Sequence, residues 1–304
     1  MAGIGELLAI GALLLFSSNA LLVGPAIRRL PQDLGFLVSL ASNVVLASTV
    51  VLGQYLLLGG PGSPPEWDAF GMFVVGGLLT SYLGRWFWTR SIATIGPTRA
   101  SAIQVTNPFF AAVFAWILLD ESLPPVAILC GLSVLVGLNL TSRRRAGADP
   151  VDAGQRGRSV PLTHIGIGLL GALAYGLGNV ARGAGVRDWE APIVGSFIGA
   201  LVGLLAYALV NTDLRKLASA LRGADRTGLR LWLLSGALTI GAQTAQIAAT
   251  QYIPVAIAVV ISVAVPVVVL PVSVLFLRRS EAIGWSTTAG VLLMLGGVAG
   301  LVLA

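Results

Sequence analysis

The sequence predicts an all-α integral membrane protein with ten transmembrane helices, arranged as two inverted five-helix repeats around a central cavity. Three observations predict this fold class: the composition, the division of the chain into ten apolar segments, and matching positions in its two halves. Of the 304 residues, 56% are apolar and 11% are charged, whereas soluble domains carry about 25% charged residues. The composition excludes an ordinary cytoplasmic enzyme, a disordered chain and a nucleic-acid-binding protein.

Ten apolar segments have lengths near the roughly 20 residues that one helix needs to cross a bilayer core. The predicted spans are 7–24, 34–58, 69–90, 100–119, 125–141, 162–182, 192–210, 229–250, 255–277 and 283–303. The connections are too short for a soluble domain. We therefore expect a first repeat over residues 1–141, a basic connection over 142–161 and a second repeat over 162–304. No basic residue precedes the first apolar segment, so we expect no removed signal peptide.

The basic residues predict the orientation of the chain in the membrane. Of the 19 Lys and Arg residues, all but Arg182 and Arg187 fall in odd-numbered connections or at the adjoining span ends. Because Lys and Arg favour the cytoplasmic side, we expect the odd connections in the cytoplasm of a bacterium and both termini in the periplasm. The net charge of +6 is then a topology signal and does not indicate nucleic acid as a partner.

The two halves match at offsets of 157 to 160 residues. Five spans per half is an odd number, so the halves lie in opposite orientations, and inverted repeats of this kind build transporters with a substrate site near the midplane. The matched positions are residues 11–13 with 171–173, Asn19 with Asn179, Pro97 with Pro254, Pro108 with Pro266, and Glu121 with Glu281.

The five-plus-five plan, the mid-helix prolines Pro108 and Pro266, and the segments 107–121 and 265–281 are similar to those of one known group of proteins. With these features the chain resembles the drug/metabolite transporter superfamily in its ten-helix EamA-type branch, and within it the bacterial aromatic-amino-acid exporters of the inner membrane. The resemblance implies export of amino acids and other small amphipathic metabolites. It also implies a cavity between the first, third, fourth, sixth, eighth and ninth spans.

Polar side chains within the spans identify the expected lining of that cavity, because such side chains are costly unless they face protein or water. One stripe at helical spacing in the third span (Tyr82, Trp86, Thr89) matches a second stripe in the eighth (Thr239, Gln243, Gln246). The candidate substrate-binding residues are Asn19, Tyr82, Trp86, Gln104, Asn107, Tyr175, Asn179, Gln243, Gln246 and Ser262, and the candidate hinge residues are Pro108 and Pro266.

Several of these residues have a simpler alternative. Amides and hydroxyls also bond helix to helix, prolines also make structural kinks, and Trp86 also suits the headgroup belt. Arg85 and Arg90 are expected to reach the cytoplasmic interface. Arg182 continues the stripe of Tyr175 and Asn179, so it either meets a substrate carboxylate or pairs with an acid outside the membrane, Asp188 or Glu190. We favour the pairing.

The residues that are missing restrict the mechanism. All 13 acidic residues fall at span ends or in connections, whereas proton-driven antiport usually places a carboxylate inside the membrane. We therefore expect facilitative transport, with His164 as an ordinary interfacial residue. One histidine and one cysteine, Cys130, leave too little for an enzyme or a metal site. We expect no cofactor, and the GxGxxG pattern at 166–171 follows no strand and indicates helix packing.

Two alternatives to amino-acid export stay open at this point. The first is export of amphipathic drugs or of a lipid-linked intermediate, which would favour a groove open to lipid. The second is proton-coupled antiport. In each case we expect a monomer whose partners are a small-molecule substrate and membrane lipids.

Overall fold

Helices form most of the described part of the protein, which we analysed as a computed structural model. The described residues are 3–95, 100, 103–145, 162–210, 219–221, 223–275 and 285–303. Within them the main helices are α1 (Ile4–Ile27), α2 (Gln32–Leu58), α3 (Trp67–Gly77), α4 (Arg85–Ile95), α5 (Asn107–Leu119), α6 (Pro125–Arg145), α7 (Leu162–Asp188), α8 (Pro192–Val210), α9 (Arg226–Ala249), α10 (Val255–Val263), α11 (Pro266–Leu275) and α12 (Trp285–Leu303).

These helices correspond to the ten predicted spans, with three informative differences. The third span consists of α3 and α4 joined by a π-helical segment, Leu78–Gly84. The fourth and ninth spans are interrupted just before a proline. The sixth span, predicted to end at residue 182, continues as α7 to Asp188. Residues 146–161, most of the predicted basic connection, lie outside the described residues.

The helices differ in how well each would cross a membrane unaided. The stretches Ile4–Ile27, Asp33–Leu58, Leu162–Asp188 and Pro192–Val210 are long and apolar enough to do so, and shorter apolar stretches lie in the fourth, fifth, ninth and tenth spans. The eighth span, α9, has 24 residues but is not among the sufficiently apolar helices of the described chain. This is the span that carries the glutamine stripe, so its polarity has to be sheltered by other helices.

The packing of the helices is symmetric between the two halves. The first span packs on the eighth as the sixth packs on the third, and the second packs on the eighth as the seventh packs on the third. The first span likewise packs on the ninth as the sixth packs on the fourth, and the fifth and tenth spans, which are equivalent, pack on each other. Exchanging the halves leaves this pattern unchanged, which is the packing expected of two inverted repeats.

Glycines allow the closest of these helix contacts. A Cβ atom at Gly77 of α3 would lie 2.5 Å from the Cα of Gly199 on α8, so the two backbones touch. Gly171, from the GxGxxG pattern, lies within α7 and faces Phe87 of α4, as a packing glycine would. Cys130 of α6 is partly buried against glycines of α12.

Candidate functional site

Two interrupted helices occupy equivalent positions in the two halves. The chain turns at Val105 and Thr106 before α5, whose second residue is Pro108, and it leaves the helix at Ala264 before α11, whose first residue is Pro266. A proline cannot donate the backbone hydrogen bond that would continue the preceding helix. Both prolines therefore begin a new helix after a break, whereas the sequence had suggested a kink within a continuous one. Interrupted helices at matching positions are a strong pointer to a transporter's binding site.

Asn107 lies directly at the first of these breaks. It is only 6% exposed, and its Oδ1 atom accepts no hydrogen bond from the described residues. Gln104, three residues earlier, is partly buried. Ser262 lies before the second break and is fully buried, but its hydroxyl donates to the carbonyl of Ala258, 2.7 Å away in the same helix. The hydroxyl proton of Ser262 is thus used within its own helix, whereas the Asn107 oxygen has no donor among the described residues.

The first and eighth spans carry a second set of predicted residues. Ser235 of α9 donates a hydrogen bond of 2.6 Å to the Oδ1 atom of Asn19 on α1, so Asn19 has a helix–helix partner. Two turns further along α9, the buried Oε1 atom of Gln243 accepts no hydrogen bond from the described residues. Gln246 is partly buried on the same helix. Of the predicted site residues in these two spans, Gln243 is the one with a buried polar atom that lacks a partner among the described residues.

The third span is not a regular α-helix, although the predicted polar stripe of Tyr82, Trp86 and Thr89 assumed α-helical spacing. Tyr82 is partly buried within the π-helical segment, where the backbone is wider than an α-helix, so the α-helical offset from Tyr82 to Trp86 does not hold there. Trp86 is 46% exposed and makes an edge contact with Phe87, and Arg90 lies 6.0 Å from its ring. This exposure favours the interfacial alternative for Trp86. The side chain of Thr89 lies outside the described ones. π-Helical turns are frequent at functional sites.

The sixth span places Tyr175, Asn179 and Arg182 along α7, with the first two partly buried. The pairing of Arg182 with Asp188 or Glu190 was a wrong prediction. Arg182 is 3% exposed, and its Nη2 atom donates a hydrogen bond of 3.0 Å to the hydroxyl of Ser81. The reason is the length of α7: Arg182 lies six residues before the helix end, so the side chain enters the bundle and does not reach the surface acids.

Two ion pairs join the halves, one at each end of the bundle. At one end, the buried carboxylate of Glu121, after the fourth span, forms a salt bridge with Arg187 at the end of α7. It also accepts the backbone N–H of Val255 at 3.0 and 3.1 Å, which caps α10. At the other end, Arg29 lies 3.2 Å from Asp225, and both side chains are largely exposed. Arg29 and Asp225 lie in odd-numbered connections, and Glu121 and Arg187 lie in even-numbered ones. Odd and even connections lie on opposite sides of the membrane when the spans alternate in direction.

Asp225 is also the N-cap of α9. The backbone N–H of Gly228, then the Arg29 guanidinium and the N–H of Thr227, hold the pKa of this carboxyl below its usual range, because all of them stabilise the charged form. Glu121 and Asp225 were not among the predicted site residues. The signal for Glu121 was its repeat partner Glu281, which lies outside the described residues.

A cavity of about 470 Å³ lies between α5, α6 and α10. Its walls are apolar, and two of its lining residues, Phe109 and Trp116, are 55% and 65% exposed. It is thus a lateral groove on the side of the bundle. Of the predicted substrate-binding and hinge residues only Pro108 lines it, although Glu121 of the ion pair also lies at its wall. In the described part of the chain, no group of three His, Cys, Asp or Glu side chains is placed to hold a metal ion.

Comparisons with known proteins agree with this architecture. The chain has no match among curated proteins. A solved crystal structure of a protein superimposes on it with a TM-score of 0.72 at 18% identity, over 99% of this chain and 96% of that one, which supports the fold alone. The sequence profile of the EamA-like transporter family matches twice, over residues 3–143 and 162–303. The chain therefore belongs to the EamA-like transporter family of the drug/metabolite transporter superfamily, whose members are multi-pass membrane transporters and not enzymes.

Proposed function

We propose that this transporter exports neutral amino acids, aromatic ones included, and related small metabolites from bacteria by facilitative alternating access. The observation that carries the proposal is that two of the predicted site residues, Asn107 and Gln243, each bury an amide oxygen that accepts no hydrogen bond from the described residues. Unsatisfied buried acceptors are costly in a membrane. The ammonium group of an amino acid is a donor that would satisfy such an oxygen.

Aromatic side chains supply the second requirement of such a substrate. Tyr82 and Tyr175 are partly buried on the third and sixth spans, which pack on each other. Their rings offer a flat apolar surface with a polar end, which suits an aromatic or large neutral side chain. The resemblance to aromatic-amino-acid exporters supports the same substrate class.

The two ends of the bundle support alternating access. Arg29 and Arg187 occupy matching positions of the halves, 158 residues apart, yet Arg187 holds a buried carboxylate while Arg29 holds an exposed one. We infer that the bundle is closed at the Glu121 end and looser at the Arg29 end. The distribution of basic residues supports the proposal that the Arg29 end faces the cytoplasm, in which case this state would receive substrate from inside the cell.

The placement of acidic residues supports a facilitative mechanism. Every Asp and Glu in the described part of the chain lies in a connection or within one turn of a helix end. A proton relay needs an ionisable group at membrane depth. We therefore propose that substrate moves down its own gradient.

The lateral groove favours a second candidate, export of an amphipathic or lipid-linked molecule. Its apolar walls between α5, α6 and α10 face outward, and an acyl chain could enter there from the bilayer. This route would use Pro108 but none of the ten polar candidates.

Efflux from proteoliposomes tests both candidates. The rate at which phenylalanine, methionine or threonine leaves preloaded vesicles is measured with and without a pH gradient, and protein-free vesicles serve as the control. The proposal predicts downhill efflux that ignores the gradient, and efflux only with a gradient would contradict the facilitative mechanism. The variant Ala112→Phe fills the groove. This variant should leave amino-acid efflux unchanged if the proposal holds. The second candidate would be established if the wild type moved a dye or lipid analogue but no amino acid, and if Ala112→Phe abolished that movement.

A further inference from the structure

Arg182 is a cation inside a membrane-spanning helix with no acidic partner among the described residues. Its side chain is 3% exposed. It lies six residues before the last residue of α7, which is about 9 Å along the helix axis. The salt bridges of the described chain involve Arg29 and Arg187 only. Ser81 is the partner of its Nη2 atom, and its Nε atom has none.

The surrounding helices are shaped to admit this side chain. A Cβ atom on Gly76 of α3 would lie 2.6 Å from the Arg182 Cγ atom, and one on Gly199 of α8 would lie 2.9 Å from Nη2. Any larger residue at either position would displace the arginine. The guanidinium is therefore held in one place between the third, sixth and seventh spans.

A second arginine and a tyrosine extend this cluster. Tyr175 lies two turns before Arg182 on α7, and its ring packs beside the residue that precedes Arg85, since a Cβ atom on Gly84 would lie 2.9 Å from the Tyr175 Cδ2 atom. Arg85 begins α4, and its guanidinium lies 4.1 Å from the centre of the Phe36 ring. Arg85 and Tyr175 are partly exposed, whereas Arg182 is buried. The cluster thus runs from an accessible cation to a buried one.

Burying a cation without a counter-charge is expensive, and in a membrane it marks a functional site by default. A guanidinium fork matches a carboxylate in shape and charge. We propose that Arg182, oriented by Ser81, binds the carboxylate of the transported molecule, and that Arg85 and Tyr175 receive this group first. The inference rests on the proposed function and narrows it: the substrate carries a carboxylate, and cationic amphipaths are rejected.

Three related compounds test this proposal in proteoliposomes: phenylalanine, 3-phenylpropionate, which lacks the amine, and phenethylamine, which lacks the carboxylate. Wild-type protein should move phenylalanine at least about tenfold faster than phenethylamine, which differs from it only by the missing carboxylate, because this is the factor expected from a charged hydrogen bond. In Arg182→Gln this preference should fall towards one, and in Arg182→Lys the KM for both carboxylates should rise. Ser81→Ala should weaken the preference less, and Arg90→Gln, a surface arginine of α4, should keep it.

The outcomes separate this inference from the proposed function. If wild-type protein moves phenethylamine as fast as phenylalanine, the carboxylate site is refuted while amino-acid transport stands. If it moves none of the three, the proposed function fails. Thermal stabilisation of the purified protein by 3-phenylpropionate then decides the site, because stabilisation lost in Arg182→Gln supports it and stabilisation retained in that variant overturns it. Where Arg182→Gln does not fold, the Ser81→Ala and Arg182→Lys variants supply the same comparison.

Discussion

Removing the carboxylate of Glu121 should destabilise the closed end of the bundle. The side chain is 7% exposed and its partner Arg187 is 34% exposed, so loss of the pair costs about 1–2 kcal/mol, less than for a fully buried pair. The buried N–H of Val255 would also lose its acceptor, which costs about 1 kcal/mol more. We expect Glu121→Ala to lower the free energy of unfolding by at most about 2–3 kcal/mol, the sum of the two losses, because contacts made by one carboxylate are not independent.

A denaturant titration of the purified protein in detergent measures this change. Glu121→Gln keeps an oxygen for the Val255 N–H and loses only the charge, so it should cost about 1–2 kcal/mol. Glu190→Ala removes an exposed acid of the neighbouring connection and serves as the control. A value for Glu121→Ala within about 0.5 kcal/mol of the control, the range of ordinary surface changes, would refute the reasoning, as would equal losses in the Gln and Ala variants.

Two further predictions concern stability. Asp225→Ala should lower the midpoint of thermal unfolding. Asp225→Asn should lower it much less, because an amide oxygen still caps α9. Since the pKa of folded Asp225 lies below its usual range, its charge stabilises the fold above about pH 4 and this contribution is lost as the pH falls through the folded pKa. The difference between wild type and Asp225→Asn should therefore be constant from about pH 5 to 8 and vanish in acid; a difference that changes near pH 7 would contradict the assignment. Gly77→Val should destabilise the protein by about 1–3 kcal/mol or more through its clash with Gly199. An unfolding titration measures this change against the control Gly71→Ala, whose Cβ meets nothing within 4 Å. Equal stability of the two variants would exclude the contact.

The sequence predicted the fold well because a bilayer imposes a simple rule on length and polarity. Ten apolar segments anticipated the helices, and the 158-residue offset between Pro108 and Pro266 anticipated that the two prolines occupy equivalent positions, although as kinks and not as breaks. The π-helical segment was not predictable, because Leu78–Gly84 carries no local signal that distinguishes it from an α-helix. The extension of α7 to Asp188 was missed because Arg182 was read as the end of a span.

The candidate site was predictable as a set of residues but not as a set of contacts. Composition identifies Asn107 and Gln243 as polar within apolar segments, yet only the packing shows that their oxygens lack donors while Asn19 and Ser262 have partners. The buried position of the Arg182 side chain depends on small residues of two other helices, Gly76 and Gly199. Such contacts between distant spans have no signature in the local sequence.

The most direct test of the account compares amino-acid efflux in variants of the two uncompensated amides. Asn107→Ala and Gln243→Ala should each lower kcat/KM for phenylalanine efflux about tenfold or more, the loss expected when a hydrogen bond to a charged group is removed. Thr244→Ala, next to Gln243, removes a hydroxyl that already donates to the carbonyl of Ile240 and should transport as wild type does. Unchanged efflux in both amide variants, with folding intact, would contradict the claim that these side chains bind the substrate.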